Sequence, residues 1–149
     1  MANSIQYANS IAVPVVKLDT NELGGRVRSA FAEYEAASEQ STITMFKLPN
    51  GARLLSGALS HDALASSTTL SVGYAAHTKA DGTTQALDVD EYNAAAASTA
   101  ATSRDILTTM ALGKNVELDA NEDGVPVTVT LAGANGTGTI QLQMFYVID

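Results

Sequence analysis

The sequence contains no cysteine and no tryptophan among its 149 residues. Without cysteine it can form no disulfide and no thiolate metal site, and it has no cysteine nucleophile. A chain of this length is most simply one domain, and such a domain buries roughly 70% of its unfolded surface, so a core can form without cross-links. We predict no cofactor.

Basic residues are also few. Eight Lys and Arg stand against sixteen Asp and Glu, which gives a formal charge of −8. Nucleic-acid-binding proteins need a basic surface to neutralise phosphates. The densest basic spot, Arg26 and Arg28, is surrounded by Glu22, Glu33 and Glu35. We therefore predict that the protein binds no nucleic acid.

Long apolar runs are missing too. No stretch of the sequence approaches the roughly 20 apolar residues that a membrane helix needs. The apolar run near the N-terminus follows no basic region of the kind that opens a secretory signal. We predict no membrane contact and expect a soluble protein made in the cytoplasm.

Residues 1–23 show no sustained helical or strand period and predict an extended N-terminal arm. Pro14 biases the residue before it towards an extended conformation. At about 3.3 Å per residue the arm can reach roughly 75 Å. Two fates remain open, docking on a neighbouring subunit or pairing as an edge strand of its own domain. Candidate partner-binding residues are Ile11, Val13, Pro14, Val15 and Val16.

Residues 24–149 predict one β-sandwich domain with six to eight short strands. Thr42–Leu48 is rich in β-branched and aromatic residues, and Thr139–Ile148 alternates in polarity. Between strands, Pro49-Asn50-Gly51 is a turn signal, because proline presets φ and glycine accepts a positive φ. Polar or glycine-rich loops are predicted at Ala36–Ser41 and Gly133–Gly138.

One helix is predicted at Val89–Ser98. Asp88–Glu91 has the form of a capping box, and alanines follow it. Ile106–Leu112 is apolar and could be a strand or a short helix. The fold class is thus mainly β, an antiparallel β-sandwich with one short helix and an extended N-terminal arm.

A calcium site is the strongest metal candidate. Asp119, Asn121, Asp123 and Gly124 match the first half of an EF-hand loop, in which alternate oxygen ligands surround the cation. The twelfth position should be a bidentate Glu but is Thr130, in a predicted strand, so an EF-hand is excluded. A looser calcium turn at Asp119, Asn121 and Asp123 stays open beside a plain turn of Asx residues, which we favour.

His61 and Asp62 invite comparison with a Ser–His–Asp triad. The sequence lacks the G-x-S-x-G elbow, and adjacent residues on an extended chain point in opposite directions. We predict no catalytic residue and no enzyme activity, with Asp62 capping a turn and His61 exposed to solvent.

The run from Thr42 to Tyr74 resembles small jelly-roll proteins of tailed-phage heads. The resemblance rests on an L-P-x-G-A-R turn at Leu48–Arg53, an S-H-D-A-L-like loop at Ser60–Leu64 and a T-L-S-V-G strand at Thr69–Gly73. A similar pattern of strand, Gly/Ala loop and final strand ends in an aromatic at Tyr146.

The resemblance implies that the β-sandwich of residues 24–149 is a jelly roll. It also implies a capsid decoration or cement protein, a structural virion protein that forms a homotrimer on the outside of a phage head. Its partners would be the major capsid protein and itself, and it would stabilise capsomer junctions after assembly in the bacterial cytoplasm. Pro49, Asn50 and His61 lie in turns where such contacts are expected. Alternatives are another phage structural component (fibre, tail or head–tail protein) and a carbohydrate-binding β-sandwich module.

Overall fold

The structure, a computed structural model, describes residues 4–14, 16 and 17, and 24–148. Within these residues the chain is mainly antiparallel β-sheet, as the sequence predicts, and it has one short α-helix. The elements in chain order are α1 (Ile5–Ser10), β1 (Val27–Leu48), β2 (Arg53–His61), β3 (Thr69–Tyr74), β4 (His77–Thr78), β5 (Thr84–Gln85), β6 (Asp88–Ala97), β7 (Thr102–Ile106), a 3₁₀ helix η1 (Met110–Leu112) and β8 (Val125–Val147).

Strand β8 is the centre of the main sheet. β1 runs antiparallel along one edge of β8 over its whole length, from the Val27–Val147 pair to the Leu48–Val125 pair. The other edge is shared, because β3 pairs with residues 127–132 and β2 pairs with residues 140–147. One strand therefore belongs to both halves of the fold.

Each half adds one outer strand. β7 pairs with β2, and with residues 139–147 and 27–37 they form the first half-sheet. β6 pairs with β3, and with residues 125–132 and 41–48 they form the second half-sheet. The sheet curls so that the apolar faces of both halves meet in one core, which includes Leu54, Leu59, Ile106, Leu142, Leu70, Val72, Val129 and Leu131.

The bend between the halves replaces two loops that the sequence predicts. Ala36–Ser41 lies within β1, and Gly133–Gly138 lies within β8, so both loop predictions are wrong. The pairing register shifts on either side of Glu39. The Glu39 carboxylate accepts hydrogen bonds from the Tyr34 hydroxyl at 2.7 Å and the Ser41 hydroxyl at 3.3 Å. The bond between Tyr34 and Glu39 is the main cause that lowers the pKa of Glu39 and raises that of Tyr34.

The helix predicted at Val89–Ser98 is wrong, because this segment is strand β6. The Asp88 carboxylate accepts from the Asp90 backbone N–H at 3.1 Å, two residues on, where a capping box would need the third. Helix propensity amounts to less than about 1 kcal/mol per residue, and pairing with β3 outweighs it. Ile106–Leu112, left open by the sequence, holds the end of β7 and the 3₁₀ helix.

Helix α1 lies where an extended arm was expected. Ser4 caps it, and its hydroxyl accepts from the Tyr7 backbone N–H at 3.2 Å. The arm is therefore helical over Ile5–Ser10, which corrects the prediction of a fully extended segment.

Candidate interaction surfaces

His61 lies inside the protein, with only 6% of its surface exposed, so the prediction that it is exposed is wrong. It ends β2 on the same face as buried Leu59. Its Nδ1–H donates to the Asp62 carbonyl oxygen at 2.8 Å, and its Nε2 is buried without a partner. The Asp62 carboxylate instead accepts from the Thr139 backbone N–H at 3.0 Å. His61 and Asp62 therefore do not form the relay of a triad.

The calcium candidate has the hydrogen bonds of a turn. Asp119 Oδ1 accepts from the Ala80 backbone N–H at 3.0 Å, which ties this segment to the β4–β5 hairpin. Asn121 Oδ1 accepts from the Asp123 backbone N–H at 3.0 Å. Within the described residues no group of three or more His, Cys, Asp or Glu side chains is placed to hold a metal ion. The plain turn stays our prediction, and the looser calcium turn stays the open alternative.

The Pro49–Gly51 turn is confirmed, and some of its polar groups form hydrogen bonds within the protein. The Pro49 carbonyl accepts from the Ala52 N–H at 3.3 Å, and Asn50 Oδ1 accepts from the Ala120 N–H at 3.1 Å. Asn50 is exposed and Pro49 is half-buried. The turn is therefore fixed in place, with its tip facing solvent.

The arm carries an unusual share of uncovered apolar side chains. Among the described residues, Ile11, Val13 and Val16 are exposed, Val13 by 97%, and so are Ile5 and Tyr7. Helix α1 has no buried residue. Exposed apolar clusters of this kind mark contact sites. Pro14 is exposed as well, and Val15 lies outside the described residues.

A second apolar surface, which the sequence analysis missed, lies on the outer face of the first half-sheet. Phe31 is 59% exposed and pairs with Gln143, while Phe145, two residues on, lies on the same face and is partly exposed. Val27 is also exposed there. Side chains alternate between the two faces of a strand, so Val27, Ser29 and Phe31 share one face of β1. The apolar Val27 and Phe31 on the face away from the core are the signal that could have identified this surface.

Acidic and amide side chains continue that outer face. Gln141 Nε2 donates to the Glu33 carboxylate at 2.6 Å, and the Thr139 hydroxyl donates to the Glu35 carboxylate at 2.7 Å. The face therefore changes from apolar near Phe31 to polar near Glu35.

The long edge of β1 is a further surface. Within the part of the chain that the structure describes, β1 pairs with β8 alone. The backbone N–H and C=O groups on its other edge can pair with an added strand. No described helix is long and apolar enough to cross a membrane.

No protein-family model matches the chain, and no curated protein matches it. Among solved structures it is similar to a chain in the capsid of Ralstonia phage GP4, with 23% identity and a TM-score of 0.63 over 84% of this chain and 86% of that one. It is also similar to a chain in the capsid asymmetric unit of cyanophage Pam1, with 19% identity and a TM-score of 0.63 over 99% of this chain and 98% of that one. The curled antiparallel fold of this chain is thus one that occurs in two phage capsid structures.

Proposed function

We propose that this chain is a structural protein of a phage particle, a trimeric decoration protein that binds the outside of the head and stabilises junctions between capsomers. The observation that carries the proposal is the uncovered apolar arm on a fold found in phage capsids. The protein acts through its surfaces and catalyses no reaction.

The arm supports binding to another subunit. Apolar side chains exposed over Ile5–Val16 lose contact with water when a partner covers them, which favours association. Lys17 is the only charged side chain in the first 17 residues, whereas the whole chain carries a formal charge of −8. A nearly neutral arm can approach an acidic neighbour without strong repulsion.

Trimer formation would strengthen contact with a shell. The three weak arm contacts of one trimer act together, because the first contact raises the effective concentration of the other two arms at the shell. The outer face around Phe31 and the tip of the Pro49–Gly51 turn are the further surfaces that a subunit or the shell would cover.

The oligomeric state is the first test. Mass determination in solution, by light scattering or native mass spectrometry, should give three times the 15.4 kDa of the chain. A stable monomer at all concentrations would refute the decoration role and favour another phage structural component.

Binding to the shell is the second test. The full chain should co-sediment with emptied heads of the phage whose genome encodes it, and a variant without residues 1–23 should not. Val13→Asp places a charge on the arm and should weaken binding, while Leu87→Asp is the matched control at an exposed apolar residue outside the arm. Equal binding of the truncated and full chains would show that the arm has no part in it.

A further inference from the structure

A small cavity lies beneath the β4–β5 hairpin and beside β3 and β6. Its volume is about 180 Å³. Aromatic rings and carboxylates both line it, namely Tyr74, His77, Tyr92, Glu91, Glu117 and Asp119. These residues are distant in sequence and come together only in the fold.

The aromatic wall is ordered by contacts with Tyr74. The ring centroids of Tyr74 and His77 are 5.3 Å apart at a near-perpendicular angle, and those of Tyr74 and Tyr92 are 5.8 Å apart. His77 is held by its Nδ1–H, which donates to the Ala75 carbonyl oxygen at 3.1 Å. Gln85 Nε2 donates to the Tyr74 hydroxyl at 3.0 Å. The faces of such rings attract cations.

Tyr92 forms the buried part of the wall and is 2% exposed. An aromatic ring that is already held in place needs no rearrangement when a ligand binds, which lowers the cost of binding.

The carboxylates make the cavity negative. Glu91 is half-buried and forms no ion pair with any described residue. Its pKa is raised, first by desolvation and then by the charges of Asp88 and Asp90. The pKa of Tyr92 is raised as well, by burial first and then by nearby Tyr74, Glu91 and Asp88. A bound cation would relieve this field.

Two of the acidic groups are already engaged. Glu117 pairs with Arg53 at 3.1 Å, and Asp119 accepts from the Ala80 N–H. Lys79 is the one basic side chain that lines the cavity, and it forms no ion pair within the described residues. Glu91 is therefore the carboxylate free to take a cation.

We propose that this cavity binds a guanidinium group, as carried by an arginine side chain of a partner protein. The planar guanidinium stacks on aromatic faces and donates in a fork that matches a carboxylate, which fits Tyr74 and Glu91 better than a compact ammonium does. That the group arrives on a partner rests on the proposed function, whereas binding of the free cation does not.

The test uses butylguanidinium as the probe and its neutral isostere butylurea as the control. With tyrosine rings labelled in ¹³C, NMR titration of the full chain should show saturable shifts at Tyr74 and Tyr92. Butylurea should bind about tenfold more weakly, because it lacks the charge. Equal affinities, or no saturable shift with butylguanidinium, would overturn the proposal, and tighter binding of butylammonium would overturn the guanidinium preference.

Variants of residues inside and outside the cavity lining test whether butylguanidinium binds there. Glu91→Gln should weaken butylguanidinium binding about tenfold while the protein stays folded. Glu122→Gln removes an exposed carboxylate outside the lining and should change nothing. Lys79→Met should leave binding equal or tighter. If binding appears only in the Lys79 variant, that lysine is the resident cation and the proposal fails.

The butylguanidinium titration and the co-sedimentation with heads test the two proposals independently. If butylguanidinium fails to bind while the full chain still co-sediments with heads, the cavity is not a site and the decoration role stands. If butylguanidinium binds but the full chain does not co-sediment with heads, the cavity is a guanidinium site and the decoration role fails.

Discussion

Arg104 on β7 donates a hydrogen bond of 2.7 Å from Nη2 to the backbone carbonyl oxygen of Leu70 on β3. Its Nε donates to Asn93 Oδ1 on β6 at 3.0 Å. β7 belongs to the first half-sheet, and β3 and β6 belong to the second, so one side chain joins the two where no strand pairing does. Burial lowers the pKa of Arg104, and the bonds to neutral acceptors hold the charge in place.

Arg104→Met should destabilise the protein by about 2–3 kcal/mol. The methionine keeps most of the apolar volume but loses two charge-assisted hydrogen bonds. Urea unfolding followed by circular dichroism measures the change. Arg28→Met, at an exposed position, is the control and should change stability little. Equal midpoints for the two variants would contradict the role of Arg104 as a link between the half-sheets.

Gly73→Ala should prevent folding. A Cβ at Gly73 would overlap the backbone of Asp88 and Val89, where β6 lies against β3. Gly82→Ala is the control, since a Cβ there meets nothing within 4 Å although the φ angle is +84°. That variant should lose only about 1–2 kcal/mol, the cost of a left-handed conformation. Soluble yield and thermal melting distinguish them, and a well-folded Gly73→Ala would refute this packing.

Glu91→Gln should raise the melting temperature at pH 7. Because the folded pKa of Glu91 is above its ordinary value of 4.5, ionisation disfavours the folded state. The penalty is complete above the folded pKa and disappears below the unfolded one. The difference in melting temperature between variant and parent should therefore shrink as the pH falls from 7 to about 4. A difference that is the same at both pH values would exclude this cause.

Calcium should leave the melting temperature unchanged. Asp119 Oδ1 already accepts from the Ala80 backbone N–H and Asn121 Oδ1 from the Asp123 backbone N–H, so both oxygens have protein partners without a metal ion. Melting curves with excess calcium and with a chelator make the comparison. A rise of several degrees with calcium would establish a site at Asp119, Asn121 and Asp123.

The alternation of polar and apolar residues along the strands was the main basis for predicting a β fold. Ile140, Leu142 and Met144 are fully buried, as expected from their spacing, and the Pro49–Gly51 and Asn121–Gly124 turns fall where the sequence puts them. These features depend on neighbours within a few residues, which is why the sequence alone could supply them.

The errors have long-range causes. β6 is a strand because β3 lies beside it, and its alanines carry no local sign of that. Gly133 and Gly138 signal a break, yet β1 pairs along both sides of it, so the strand bends and continues. The burial of His61 and the exposure of Phe31 depend in the same way on which face the curl turns inward.

Because Val27 pairs with Val147, the arm and the C-terminal strand leave the domain at one pole. A cargo fused beyond Val147 would therefore crowd the arm and compete with whatever the arm binds.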